Sequence, residues 1–255
     1  MSRQVIVFRH MEGDTPGRLS DLFAAAGYAV ETVDLHRGQA IPALDRYDLM
    51  LVLGGAMHSW QEDAHPWLAA EKQAIREWVG ARARPYIGIC LGHQLLADAL
   101  GGEVGLASMP EIGICEVAVD QAGDHPFATG IAGRHMLPQW HLTEVKRLPA
   151  GVQSLAASAG TPVQAMAVDC HALGVQFHCE WTLETIRGWA AIDGWVPALE
   201  AHLGAGGHDR LLASAAAHMP AIAAMTERLY ANFIRASGLE RRPGLTPAGF
   251  RASRG

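Results

Sequence analysis

The chain has 255 residues, 49% hydrophobic and 18% charged, which is apolar material enough for a sizeable core and excludes a disordered tail. Lys and Arg total 20 against 26 Asp and Glu, a net charge of −6, so the basic face that counterion release from nucleic acid demands is missing and no nucleic-acid partner is expected. No apolar stretch reaches the ~20 residues of a membrane span, and Cys90, Cys115, Cys170 and Cys179 are too scattered for a secreted disulfide framework, so a cytoplasmic location without membrane contact is expected.

In chain order, the apolar run 4–8 predicts a strand that ends in a polar loop from His10 to Gly17. Leu19, Leu22, Phe23 and Ala26 then recur at helical spacing, with Gly27 placed to close the helix. Strands are predicted at 29–33, 47–53 and 86–89, the last two apolar on both faces, as in a central parallel strand covered by helices. Helices are predicted at 66–79, with Pro66 in the first turn and Trp67, Ala70, Ala74, Ile75 and Trp78 on one stripe, and at 94–100. From about residue 112 alternating pieces at 114–119, 163–168 and 174–177 predict an antiparallel extension. Helical stretches follow at about 184–204 and 208–236. The expected organisation is α/β: a mostly parallel sheet flanked by helices over residues 1–183, a helical segment 184–240 packed on it, and a loose tail 241–255.

Gly88-Ile89-Cys90-Leu91-Gly92, between an apolar strand and a helix, has the form of a nucleophile elbow with a thiol in place of the hydroxyl. A sharp strand-to-helix turn needs neighbours without Cβ atoms, and a helix N-terminus favours a thiolate. The base and its orienter are expected from His178 and Glu180, two residues apart on one face of an extended segment. Gly54 and Gly55, at the end of another central strand, leave backbone amides free to face a substrate; the amides of Gly55 and Leu91 are the expected oxyanion donors. His93 lies on the first turn leading away from Cys90, which makes His178 the better base. Cys170-His171 and His178-Cys179 have irregular spacing for zinc, and a metal on His178 would remove the base, so no metal and no cofactor is expected. The ring of His10 reads as loop or pocket rim, and Trp181, Trp189 and Trp195 read as helix-packing aromatics. No phosphate-binding glycine motif of an ATP-dependent synthetase occurs.

The segments Leu53-Gly54-Gly55, Gly88 to Gln94 (GICLGHQ) and Gly174 to Glu180 (GVQFHCE), in this order, resemble the class I (triad) glutamine amidotransferase family over roughly residues 4–182, with the branch resembling the amidotransferase domain of GMP synthetase nearest. The resemblance implies a flavodoxin-like α/β fold, thiol attack on a γ-carboxamide, a γ-glutamyl thioester on Cys90 and hydrolysis to glutamate. It also implies that Gln94 helps hold the glutamyl group and that Trp140-His141 belongs to a substrate-side loop, next to Gly54. Departures are Cys179 where relatives carry Pro, Leu142 and Thr143 where they carry Gly and Asp, and Ala56-Met57-His58 where they carry Pro-Met-Ser. Two fates for the nitrogen stay open: glutamine hydrolysis with ammonia passed to a separate synthetase subunit, or release of an amine from an N-substituted γ-glutamyl amide or peptide. A non-catalytic binding subunit is a third reading, disfavoured by the intact Cys, His and Glu.

Overall fold

A computed structural model describes residues 3–119 and 125–241. The elements run β1 (Arg3–Arg9), α1 (Arg18–Ala25), β2 (Tyr28–Asp34), β3 (Leu49–Val52), α2 (Trp67–Ile75), β4 (Tyr86–Ile89), α3 (Leu91–Ala99), β5 (Glu103–Val119), β6 (Gly133–Arg147), β7 (Gln153–Ala157), β8 (Ala165–Val168), β9 (Ala172–Val175), α4 (Leu183–Gly188), α5 (Trp195–Leu203) and α6 (Gly207–Ala236). Among the described residues they form one sheet in the order β2-β1-β3-β4-β9-β8-β7-β5-β6. The first five strands pair parallel and the rest antiparallel. This is the α/β architecture expected, antiparallel extension included.

Side-chain alternation divides the core. Val5, Val7, Leu49, Leu51, Ile87 and Ile89 point to one face, where they meet Leu19 and Phe23 of α1 and Ile186, Leu199, Leu211, Ile222 and Phe233 of α4 to α6. Ile6, Phe8, Met50, Val52 and Tyr86 point to the other, against Leu68 and Ile75 of α2 and Leu91, Leu95 and Leu96 of α3. The C-terminal helices thus share one core with the sheet. Among the described residues no helix is long and apolar enough to cross a membrane.

Several expected boundaries shift. The helix expected over 66–79 is α-helical only to Ile75 and continues as a π-helical stretch, Arg76–Ala81. The helix expected from Gln94 starts at Leu91, directly after the cysteine. The stretch 184–204 is broken into α4, a 3-10 turn at Trp189–Ala191 and α5, with Gly194 in a left-handed conformation before the second helix. Trp140 and His141 lie in β6, paired with Ile112 and Glu111 of β5, so a strand stands where a substrate-side loop was expected. The expected tail lies, past Arg241, outside the described residues.

Candidate active site

Open parallel sheets bind ligands outside the carboxyl ends of their strands. Here four neighbouring strands each end in a polar or glycine-rich turn at one place: His10 follows β1, Gly54 and Gly55 follow β3, Cys90 follows β4 and His178 follows β9.

Cys90 is the N-cap of α3 and has φ 51° and ψ −102°, a region that side-chain-bearing residues rarely occupy and that costs on the order of 1–3 kcal/mol. Backbone bonds on both sides maintain it: the Cys90 amide donates to Val175 O (2.8 Å) and the Gly92 amide to Leu53 O (3.1 Å). The flanking glycines are required by contact distance. A Cβ on Gly88 would lie 2.5 Å from Gly92 O, and one on Gly92 would lie 2.3 Å from Val52 O. The thiol, only 6% exposed, lines the floor of the cleft with its Sγ 3.8 Å from the carbonyl oxygen of Trp140.

His178 and Cys90 converge on Gly54, where an added Cβ would stand 3.3 Å from His178 Cε1 and 3.7 Å from Cys90 Cβ. His178 Nδ1 donates to Glu180 Oε1 at 2.7 Å, which leaves Nε2 for the sulfur or a substrate. The imidazole stacks on Trp181, with 4.2 Å between centroids. Burial opposes its charged form, yet the Glu180 carboxylate and the Cys90 sulfur outweigh burial and hold its pKa well above the ordinary value. His93 is the contrast: burial pulls it down to about 4, and its Nδ1 faces Gly174 rather than the cleft.

His10, expected at a loop or rim, is buried beneath the glycines. One ring nitrogen, Nδ1, donates to Gly54 O at 2.6 Å and the other, Nε2, meets Glu71 Oε1 at 2.9 Å, while the ring stacks on Trp67. Burial lowers its tendency to charge, but Glu71 and then the Gly54 carbonyl more than compensate and raise its pKa. Because a trans peptide points C=O and N–H in opposite directions, a grip on Gly54 O turns the Gly55 N–H away from His10. The Leu91 amide, in the first turn of α3, has no intrahelical acceptor. Asp14 also reaches this point, with Oδ2 3.7 Å from a Cβ built on Gly54. Both Asp14 Oδ2 and Glu180 Oε2 are buried without a hydrogen-bond partner, and burial followed by repulsion from Glu180 pushes Asp14 up to about 6.

The cleft above these groups encloses about 480 Å³. Gln94 and His141 line it, the amide of Gln94 and the Nδ1 of His141 being engaged within the protein. Gln94 Nε2 donates to Thr143 O (3.1 Å) and Gln176 Oε1 (3.0 Å), and its Oε1 accepts from the Thr143 hydroxyl (2.9 Å). His141 Nδ1 donates to Thr143 O at 3.0 Å. Trp181 and Trp189 pack in the core and Trp195 against it, as expected of helix-packing aromatics, and all three also line the cleft with Trp140 as one wall. Glu71, Asp14 and this wall have no local sequence signal; what unites them is position around Gly54 and the cleft. Among the described residues no group of three or more His, Cys, Asp and Glu side chains is arranged to hold a metal ion.

A family model described as glutamine amidotransferase class-I matches residues 18–188, more than half of the chain. The chain is 38% identical over 130 residues to a GMP synthase (glutamine-hydrolyzing) of Thermomicrobium roseum, a match covering 51% of this chain and 23% of that much longer protein. It is 33% identical over 152 residues to a GMP synthase (glutamine-hydrolyzing) subunit of Sulfolobus acidocaldarius, covering 59% of this chain and 77% of that one. A crystal structure of a glutamine amidotransferase from Thermotoga maritima superposes with a TM-score of 0.83 at 27% identity, covering 93% of this chain and 99% of its own. The protein with this strained cysteine turn belongs to the class I glutamine amidotransferase family.

Proposed function

We propose that the protein hydrolyses a γ-glutamyl amide bond through a γ-glutamyl thioester on Cys90. The observation that carries this reading is the convergence of Cys90, on its strained turn, and the His178–Glu180 pair at Gly54. His178 already carries the proton given up by the thiol, as an imidazolium held by Glu180, and Sγ adds to the γ-carbonyl carbon. The oxyanion is held by the amides of Gly55 and Leu91. The imidazolium then protonates the amide nitrogen, the C–N bond breaks, and ammonia or an amine leaves. Water, deprotonated by the same imidazole, attacks the thioester and regenerates the thiol with release of glutamate. Throughout, Glu180 accepts the Nδ1–H bond and stabilises the imidazolium.

The test is glutamate release from glutamine and from N-substituted γ-glutamyl amides, with mass spectrometry of the protein during turnover. A γ-glutamyl adduct on Cys90 and a loss of at least ~1,000-fold in kcat for Cys90→Ala are expected. Turnover that survives Cys90→Ala refutes the reading. A second reading, in which glutamine is the substrate and ammonia passes to a separate synthetase, is favoured by the Sulfolobus relative being one subunit of a GMP synthase. It predicts negligible glutaminase activity until the partner protein is added.

A further inference from the structure

We infer that the cleft is built for a γ-glutamyl amide whose nitrogen carries an aryl or arylalkyl group without a carboxylate. This rests on the thioester reading and specifies its leaving amine. First, about 480 Å³ is a drug-sized cleft, whereas glutamine has only about ten non-hydrogen atoms. Second, one wall of the cleft is aromatic and continuous with His178 and Cys90. Trp181 stacks on His178 and meets Trp189 at 4.4 Å between centroids; Trp189 lies 5.2 Å from Trp195, and Trp140 sets its ring against both, at 5.5 and 5.0 Å. The wall therefore begins at the base and, through the Trp140 carbonyl, at the nucleophile. Leu142, Met57 and Ala198 extend it with apolar surface. Flat apolar rings are what such indoles contact best.

Third, the charges select. The lining includes Asp14 and Asp193 but no Lys or Arg. A leaving amino acid, as in a γ-glutamyl peptide, would add a second carboxylate to the one every γ-glutamyl group carries, in a lining whose acids are Asp14 and Asp193 and whose basic side chains are all histidines. A primary amide would leave the half-buried indoles of Trp140 and Trp195 facing water. An amine with a ring and no acid group satisfies both conditions.

The experiment uses the full chain and four substrates: glutamine, γ-glutamylphenethylamide, γ-glutamylphenylalanine, which differs from the amide by one carboxylate, and the γ-glutamyl amide of 1,4-diaminobutane. The phenethylamide is expected to have the highest kcat/KM, by at least ~10-fold over each of the others. Trp195→Ala is expected to reduce the preference for phenethylamide over glutamine at least ~10-fold, and Trp195→Phe to keep most of it. In a Cys90→Ser chain, free phenethylamine is expected to quench tryptophan fluorescence saturably, and phenylalanine not to. Equal or better turnover of γ-glutamylphenylalanine, preference for the diamine amide or for glutamine, or an unchanged preference in Trp195→Ala overturns the inference while leaving the thioester chemistry standing. Absence of any Cys90 adduct with all four substrates overturns both.

Discussion

Two buried imidazoles serve the glycines after β3 from opposite sides, and they do different things. His178 approaches Gly54 from the cleft; His10 holds the Gly54 carbonyl from below and is itself anchored on Glu71. On the proposed chemistry His10 is a positioning residue for the Gly55 amide. Replacing it with Ala frees the peptide to rotate, and kcat should fall by about 10–100-fold, short of the ~100–1,000-fold that loss of an oxyanion donor brings. KM should change little, and His10→Asn, which can present an N–H near the Nδ1 position, should recover much of kcat. A parallel fall in kcat for both variants with lowered thermal stability would mean a merely structural role. Cys90, His178 and Glu180 are legible in sequence because each sits in a short local pattern dictated by backbone geometry. His10, Glu71 and Asp14 are not, because their partners lie tens of residues away and only burial brings them together.

At the level of elements, the turn bearing the His178–Glu180 pair is clamped from outside the sheet. The Arg18 amide, at the start of α1, donates to Glu180 O at 2.9 Å, and the Thr226 hydroxyl of α6 reaches Cys179 O at 2.9 Å. Gly17, with φ 49°, makes the first contact possible: a Cβ there would lie 2.1 Å from Glu180 O. Gly17→Ala should therefore displace the turn, costing about 2–4 kcal/mol in urea denaturation and at least ~10-fold in kcat. The strands and helices around this turn follow from apolar runs and helical stripes, so their places are readable. Strand β6 is not: Gly133 to Arg147 contains Pro138, two histidines and no clean alternation, and it is paired only because β5 lies beside it over its whole length. Likewise the indoles at 189 and 195 read as packing residues, and only the break between α4 and α5 turns them to the cleft as well.

The molecule as a whole carries the cost of crowding acidic groups at one point. Asp14 titrates at about 6 instead of 3.8, so the folded state binds its proton more tightly than the unfolded chain does. The stabilisation is complete below about pH 4 and lost as pH rises through about 6. Above that, an ionised Asp14 burdens the fold. Asp14→Asn should consequently raise Tm by a few degrees at pH 8 and leave it near wild type at pH 4, as read by calorimetry. The sheet itself has a broader consequence. Four adjacent rungs, about 4.8 Å apart, hold His10, the Gly54-Gly55 turn, Cys90 and His178, whereas the aromatic rim hangs from β6, the turn after β9 and the C-terminal helices. Trp181, next in sequence to Glu180 and stacked on His178, is the seam between the two: a change at 189 or 195 can reshape the rim alone, whereas a change at 181 also moves the imidazole.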